Sequence, residues 1–90
     1  MKHRPKQFRD KTKMHKLELI ERGMTACHYC GTECGISITA DHMRPISHGG
    51  KDEFSNIVPA CAPCNNRKGS KLYKDFMEQI TLEQLLRDQA

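Results

Sequence analysis

Residues 56–71 read NIVPACAPCNNRKGSK, and the order of residue types in this stretch decides the fold. Cys61-x-x-Cys64 has the spacing of a metal knuckle. Pro63 lies between the two cysteines. A helix tolerates proline only in its first turn, where the missing N–H is not needed. A helix is therefore predicted around Cys61 to Lys68, with Cys64 and Asn65 near its start.

A second knuckle, CHYC, occupies residues 27–30. Each Cys-x-x-Cys pair can place two thiolates on one tetrahedral Zn²⁺. Thirty residues separate the pairs, more than the roughly 15–20 of a common zinc ribbon. A shared ion on Cys27, Cys30, Cys61 and Cys64 would tie together the two ends of a large insert. A chain of 90 residues with 37% apolar content and no Trp is marginal on hydrophobic burial alone. Structural zinc contributes on the order of 10 kcal/mol to the folding of such domains. Disulfides and a redox Cys-x-x-Cys are the competing readings. Redox use calls for a βαβ pattern that this sequence does not show. Cys34 is the odd cysteine and reads as a free or buried thiol. His28, inside the first knuckle, is an alternative ligand that four cysteines make unnecessary.

The chain has no run of 18 apolar residues, so no transmembrane helix is expected. Its first residues, MKHRPKQFRDKTK, lack the apolar region of a secretory signal. The expected setting is a reducing cytoplasm, without membrane contact, where paired cysteines are more often metal ligands than disulfides. Net charge is +4, and it is segregated. Residues 1–16 are strongly basic. Arg67, Lys68, Lys71 and Lys74 form a second basic cluster, and the final segment is acidic. That pattern fits a polyanion partner, most simply nucleic acid. The bland alternative is a solvated surface with a basic tail.

Residues 1–10 read as a basic mobile arm and 11–90 as a single domain. Helical periodicity begins near Lys11, with Met14, Leu17 and Ile20 as the stripe facing the core and Gly23 as the stop. GISITA, residues 35–40, alternates like a strand. Residues 48–56, HGGKDEFSN, read as loop. A helix is expected from Lys71 to Gln79. A last helix is expected after a capping box of Thr81 and Gln84, with Leu82, Leu85 and Leu86 on its buried face.

Between the knuckles, polar residues fall where they are costly unless used. Asp41 and His42 close the expected strand, Asn56 follows the loop, and Asn65 follows the last knuckle cysteine. A carboxylate and an amide carbonyl suit an oxygen-ligated divalent cation. A neighbouring histidine can accept a proton from water near neutral pH.

In order, the two knuckles, the Asp41-His42 pair, PISHGG at 45–50, Asn56-Ile-Val and CNNRK at 64–68 resemble the zinc-containing HNH endonucleases. The likeness covers residues 27–69. It implies an α+β, zinc-stapled ββα-metal domain, here with an N-terminal helix and further C-terminal helices. It implies a metal-dependent phosphodiester hydrolase acting on DNA and leaving 5′-phosphate and 3′-hydroxyl ends.

Residue by residue, the resemblance makes His42 the general base and Asp41 a ligand of the catalytic cation. Asn56 would orient the base and brace the loop, and Asn65 would be the second ligand. This is an H-N-N form, and its oxygen ligands favour Mg²⁺ or Mn²⁺. Arg44, Arg67, Lys68 and Lys71 would contact the DNA backbone. His48 precedes two glycines in a loop that fixes its geometry poorly, so its role stays open. His3 and His15 receive no functional weight. Phage and prophage nucleases that work beside DNA-packaging machinery are a family-level parallel. The rival class is a non-catalytic zinc module that binds nucleic acid or protein.

Overall fold

The computed structural model describes residues 6–89, with side chains from Lys11 onward. Helix α1 spans Lys6–Glu21, strand β1 Thr39–His42, strand β2 Ile57–Ala60, helix α2 Ala62–Lys68 and helix α3 Tyr73–Asp88. The two strands pair antiparallel, with Asp41 opposite Val58 and His42 opposite Ile57. Both α1 and α2 pack on this hairpin. The fold is α+β and consistent with a ββα-metal domain. No described helix is long and apolar enough to cross a membrane.

The helix after the second knuckle forms as expected. Cys61 is its extended N-cap, and Pro63 sits in the first turn. Its register puts Cys64 and Lys68, one helical turn apart, on the buried side. Asn65 follows Cys64 on the neighbouring face and reaches β1.

The long connection between the strands is held at both ends. Its first residue, Met43, donates its N–H to the Asn56 carbonyl. The Asn56 side chain accepts from the Arg44 N–H and donates to the Arg44 and Lys51 carbonyls. The loop closes so tightly that a Cβ on Gly50 would stand 1.8 Å from the Arg44 carbonyl oxygen. Glycine is required at that position by close approach of backbone to backbone.

Several expectations need correction. Helix α1 starts at Lys6, five residues before the expected start. The rest of the arm, residues 1–5, lies outside the described residues. Its buried face carries His15 and Leu19, whereas Met14 and Leu17 are 63% and 50% exposed. The hairpin and the loop dock on the Leu19 side, and helical periodicity alone cannot choose between adjacent stripes. Residues Gly35–Ser37 form a 3₁₀ turn, and the strand begins only at Thr39. Ile36 is therefore exposed while Ile38 is fully buried.

The C-terminal segment is one helix through Thr81, not two. Thr81 is helical and caps nothing. Leu82, Leu85 and Leu86 are all exposed. The anchor of α3 is Phe76, fully buried against the first knuckle, with its ring edge-on to Tyr29 at 5.0 Å. Burying a phenylalanine fully is worth about 1.5–3 kcal/mol, so this single contact fixes the start of α3 more firmly than its exposed leucines could.

Candidate active site and metal centre

The four knuckle sulfurs lie within 4.8 Å of one another, and no disulfide joins them. Cys30 Sγ and Cys61 Sγ are 3.7 Å apart. A tetrahedron with Zn–S bonds near 2.3 Å has an edge of about 3.8 Å. The donor set and this spacing fit one Zn²⁺, with one pair from each knuckle. Hydrogen bonding with Thr32 is the largest cause that brings the Cys30 thiol down to about 6, which favours the thiolate. Cys34 stays outside the cluster and packs against the core. His28 also stays outside, with its ring on the Tyr73 hydroxyl at 2.7 Å.

The knuckle also delivers Tyr29. Its hydroxyl donates to Asp41 Oδ2 at 2.5 Å. Burial, and then the Asp41 carboxylate, push the Tyr29 phenol well above its ordinary value, so it remains a proton donor. Lys68 Nζ approaches the same Oδ2 at 3.5 Å and donates to the His42 carbonyl at 3.0 Å. Both contacts on Asp41 fall on Oδ2, so neither engages Oδ1.

Asn65 donates its amide N–H to Thr39 Oγ1 at 2.9 Å. Thr39 spends its own hydroxyl proton on the Ala60 carbonyl, 2.7 Å away. Its oxygen can then only accept from Asn65, which fixes the orientation of the amide. The Asn65 carbonyl oxygen is left for the cavity. That cavity, about 330 Å³, is lined by Asp41, His42 and Asn65 with Ala40, Pro45, Ile46, Ser47, Gly69 and Ser70.

Successive strand residues point to opposite faces. Asp41 turns toward Tyr29 and Lys68, and the His42 ring turns toward α1. There His42 Nε2 meets Asp52 Oδ1 at 2.9 Å, and His15 Nε2 meets the same oxygen at 2.8 Å. Hydrogen bonding from His42, more than from His15, lowers the Asp52 carboxyl below its ordinary value. The loop carrying Asp52 is pinned to α1 through Phe54, whose ring lies 6.4 Å from that of His15 and under Arg22, just past the helix end, at 4.7 Å.

The structure thus brings Asp41, His42 and Asn65 to one cavity and sets Asn56 on the backbone just beyond His42. Asn56 braces the loop through Arg44 and Lys51. His48 stays on an exposed 3₁₀ turn, where its carbonyl accepts from Arg44 Nε. Of the expected backbone contacts, one is drawn into the interior and two are exposed side chains engaged within the chain. Lys68 is only 1% exposed and belongs to the interior. Arg67 makes two bonds to Glu83 and stacks over Phe76. Lys71 donates to the Arg67 carbonyl.

Sequence reasoning missed Tyr29, Thr39, Asp52 and His15. Tyr29 sits between knuckle cysteines, and its spacing alone gave no pointer to Asp41. An acidic residue two positions after Gly-Gly was a weaker signal for Asp52. Nothing local marked His15.

A model of the HNH endonuclease family matches residues 27–71. The "SPbeta prophage-derived putative HNH endonuclease YoqL" of Bacillus subtilis (strain 168) is 30% identical over 59 residues, covering 56% of this chain. The chain spans about a quarter of the length of that curated relative, 26%. The matched segment begins at the first knuckle, contains the Asp41-His42 strand end and Asn56, and runs past the helix that carries Asn65. With the two knuckles closed on one cluster and the hairpin and helix in place around that cavity, the chain belongs to the HNH endonuclease family.

Proposed function

We propose that this chain is a metal-dependent DNA endonuclease, with His42 as general base and Asp41 and Asn65 as the protein ligands of a divalent cation. The observation that carries this reading is a polar cavity lined by all three residues. The donors fit such an ion: a carboxylate oxygen and an amide oxygen, each held by a neighbour through its other atom. Oxygen donors suit Mg²⁺ or Mn²⁺ better than a softer metal. When bound there, the ion supplies charge stabilisation to the phosphate and the departing oxygen.

The chain's own residues do the rest. His42 takes a proton from the attacking water through the ring nitrogen not committed to Asp52. Tyr29 and Lys68 hold Asp41 in place. Asn56 fixes the backbone immediately after the base. Arg44 and Lys71, both exposed, are the basic side chains proposed to meet backbone phosphates, joined by Arg67 if it releases Glu83. Contacts of this kind position DNA and carry little sequence information. A phage or prophage setting is proposed on the family parallel and the relative's printed origin.

The test is nicking of supercoiled plasmid by the zinc-loaded protein with Mg²⁺ or Mn²⁺. Cleavage by the parent and its loss in His42→Ala support the reading. DNA binding without cleavage under either metal would instead support the non-catalytic zinc module.

A further inference from the structure

We propose that Asp52, steadied by His15, is a positioning residue that holds His42 in the single tautomer a general base requires. The inference rests on the reading of His42 as base and deepens it. Three separate elements converge here: His15 from α1, His42 from β1 and Asp52 from the loop between the strands. Both imidazole Nε2 atoms point at one carboxylate oxygen, 2.8 and 2.9 Å away. An ionised carboxylate is acceptor-only. Each Nε2 must therefore carry the hydrogen, and a neutral His42 must keep its lone pair on Nδ1. Nδ1 is then the atom free to accept a proton from water.

The same three groups also have the composition of a metal site, since their ligand atoms lie within 4.8 Å. Distance decides between the two. Around a tetrahedral ion with bonds of 2.0–2.1 Å, the nitrogen-to-oxygen edge is about 3.4 Å. The observed separations are shorter by roughly half an ångström and match N–H···O hydrogen bonds, near 2.9 Å. In the cysteine cluster, by contrast, the Cys30 and Cys61 sulfurs are 3.7 Å apart, close to a tetrahedral edge.

His15 supplies what Asp52 lacks alone. Asp52 sits in a loop with two glycines nearby, and its side chain is partly exposed. His15 is buried on a helix and grips the same oxygen from the other side. The His15 and His42 rings stand edge to face at 6.0 Å, and Phe54 closes over His15 at 6.4 Å. An oxygen held from both sides gives the His42 ring one orientation. A misplaced catalytic group costs on the order of 100-fold in rate, so the hold on that oxygen should be visible in turnover.

The experiment uses the full zinc-loaded chain and reads two quantities. Imidazole nitrogen shifts by ¹⁵N NMR report which His42 nitrogen carries the hydrogen. Cleavage kinetics report kcat and KM separately. The parent should show His42 protonated at Nε2. Asp52→Ala should show a tautomer mixture, with kcat down about 10- to 100-fold and KM within about twofold. Asp52→Asn, which keeps the shape and one acceptor oxygen, should fall between, and it carries the test should Asp52→Ala not fold. His15→Gln should show a smaller loss of the same kind.

An unchanged His42 tautomer and unchanged kcat in the Asp52 variants overturn the inference. So does a second equivalent of Zn²⁺ bound by the parent and lost in His15→Gln, which would make the cluster a cation site. A parent that cuts no DNA removes the nuclease reading, and the tautomer measurement still decides whether Asp52 fixes the ring.

Discussion

Lys68 Nζ lies 3.5 Å from Asp41 Oδ2, with both side chains buried. The same ammonium donates to the carbonyl of His42. One lysine from α2 thus grips two consecutive residues of β1, the proposed ligand and the proposed base. A buried ion pair is weak evidence for stability, because desolvation offsets attraction. Breaking it is another matter, because one charge is left alone in the interior.

Lys68→Met should therefore destabilise the domain by about 3–5 kcal/mol, measured by denaturant unfolding of the zinc-loaded protein. Adding Asp41→Asn to that variant removes the stranded charge and should restore part of the loss. Equal stability of the single and double variants would show that the pair does not couple. Lys71→Met should change stability little, since its ammonium is at the surface.

The cysteine cluster makes a prediction that separates five similar residues. Serine at Cys27, Cys30, Cys61 or Cys64 should abolish stoichiometric zinc and unfold the domain, because the ion joins both ends of the hairpin insert. Cys34→Ser should retain one zinc per chain and the parent's melting temperature to within a few degrees. Metal analysis with circular dichroism reads both. Zinc retention in Cys64→Ser, or its loss in Cys34→Ser, would contradict the assignment.

The acid limb of stability should report on Asp52. Its carboxyl is held below its ordinary value, with hydrogen bonding from His42 the largest cause. A depressed carboxyl stabilises the fold at pH above its unfolded value, and that contribution is lost as pH falls through the folded value. The gap between parent and Asp52→Asn in unfolding free energy should therefore shrink as pH drops below about 4. A gap that widens on acidification would contradict the pairing.

What was legible in the sequence was what local spacing determines. The knuckles fixed four ligands, Pro63 fixed the first turn of α2, and the Asp41-His42 pair fell at a strand end. Asn56 and Asn65 could be placed because each follows one of these markers closely. What was not legible depended on distant partners. His15 and Asp52 are 37 residues apart and look like a basic-helix residue and a loop residue until α1 docks. Lys68 looked like one charge in a basic run, and only the helix register buries it. Within the second basic cluster, Glu83 on α3 engages Arg67 from 16 residues away, a pairing that local spacing does not reveal. Thr81 and Gln84 matched a capping pattern, but the helix simply continues through them.

The proposed chemistry rests on the histidine at the end of β1, held between Asp52 and the cavity. The most direct measurement is single-turnover cleavage of supercoiled plasmid by zinc-loaded parent, His42→Ala and His48→Ala in Mg²⁺ or Mn²⁺. His42→Ala should lose about 100-fold or more in rate with DNA binding retained, while His48→Ala should stay within a few-fold of the parent. Full activity in His42→Ala, or an equal collapse in His48→Ala, would contradict the assignment of His42.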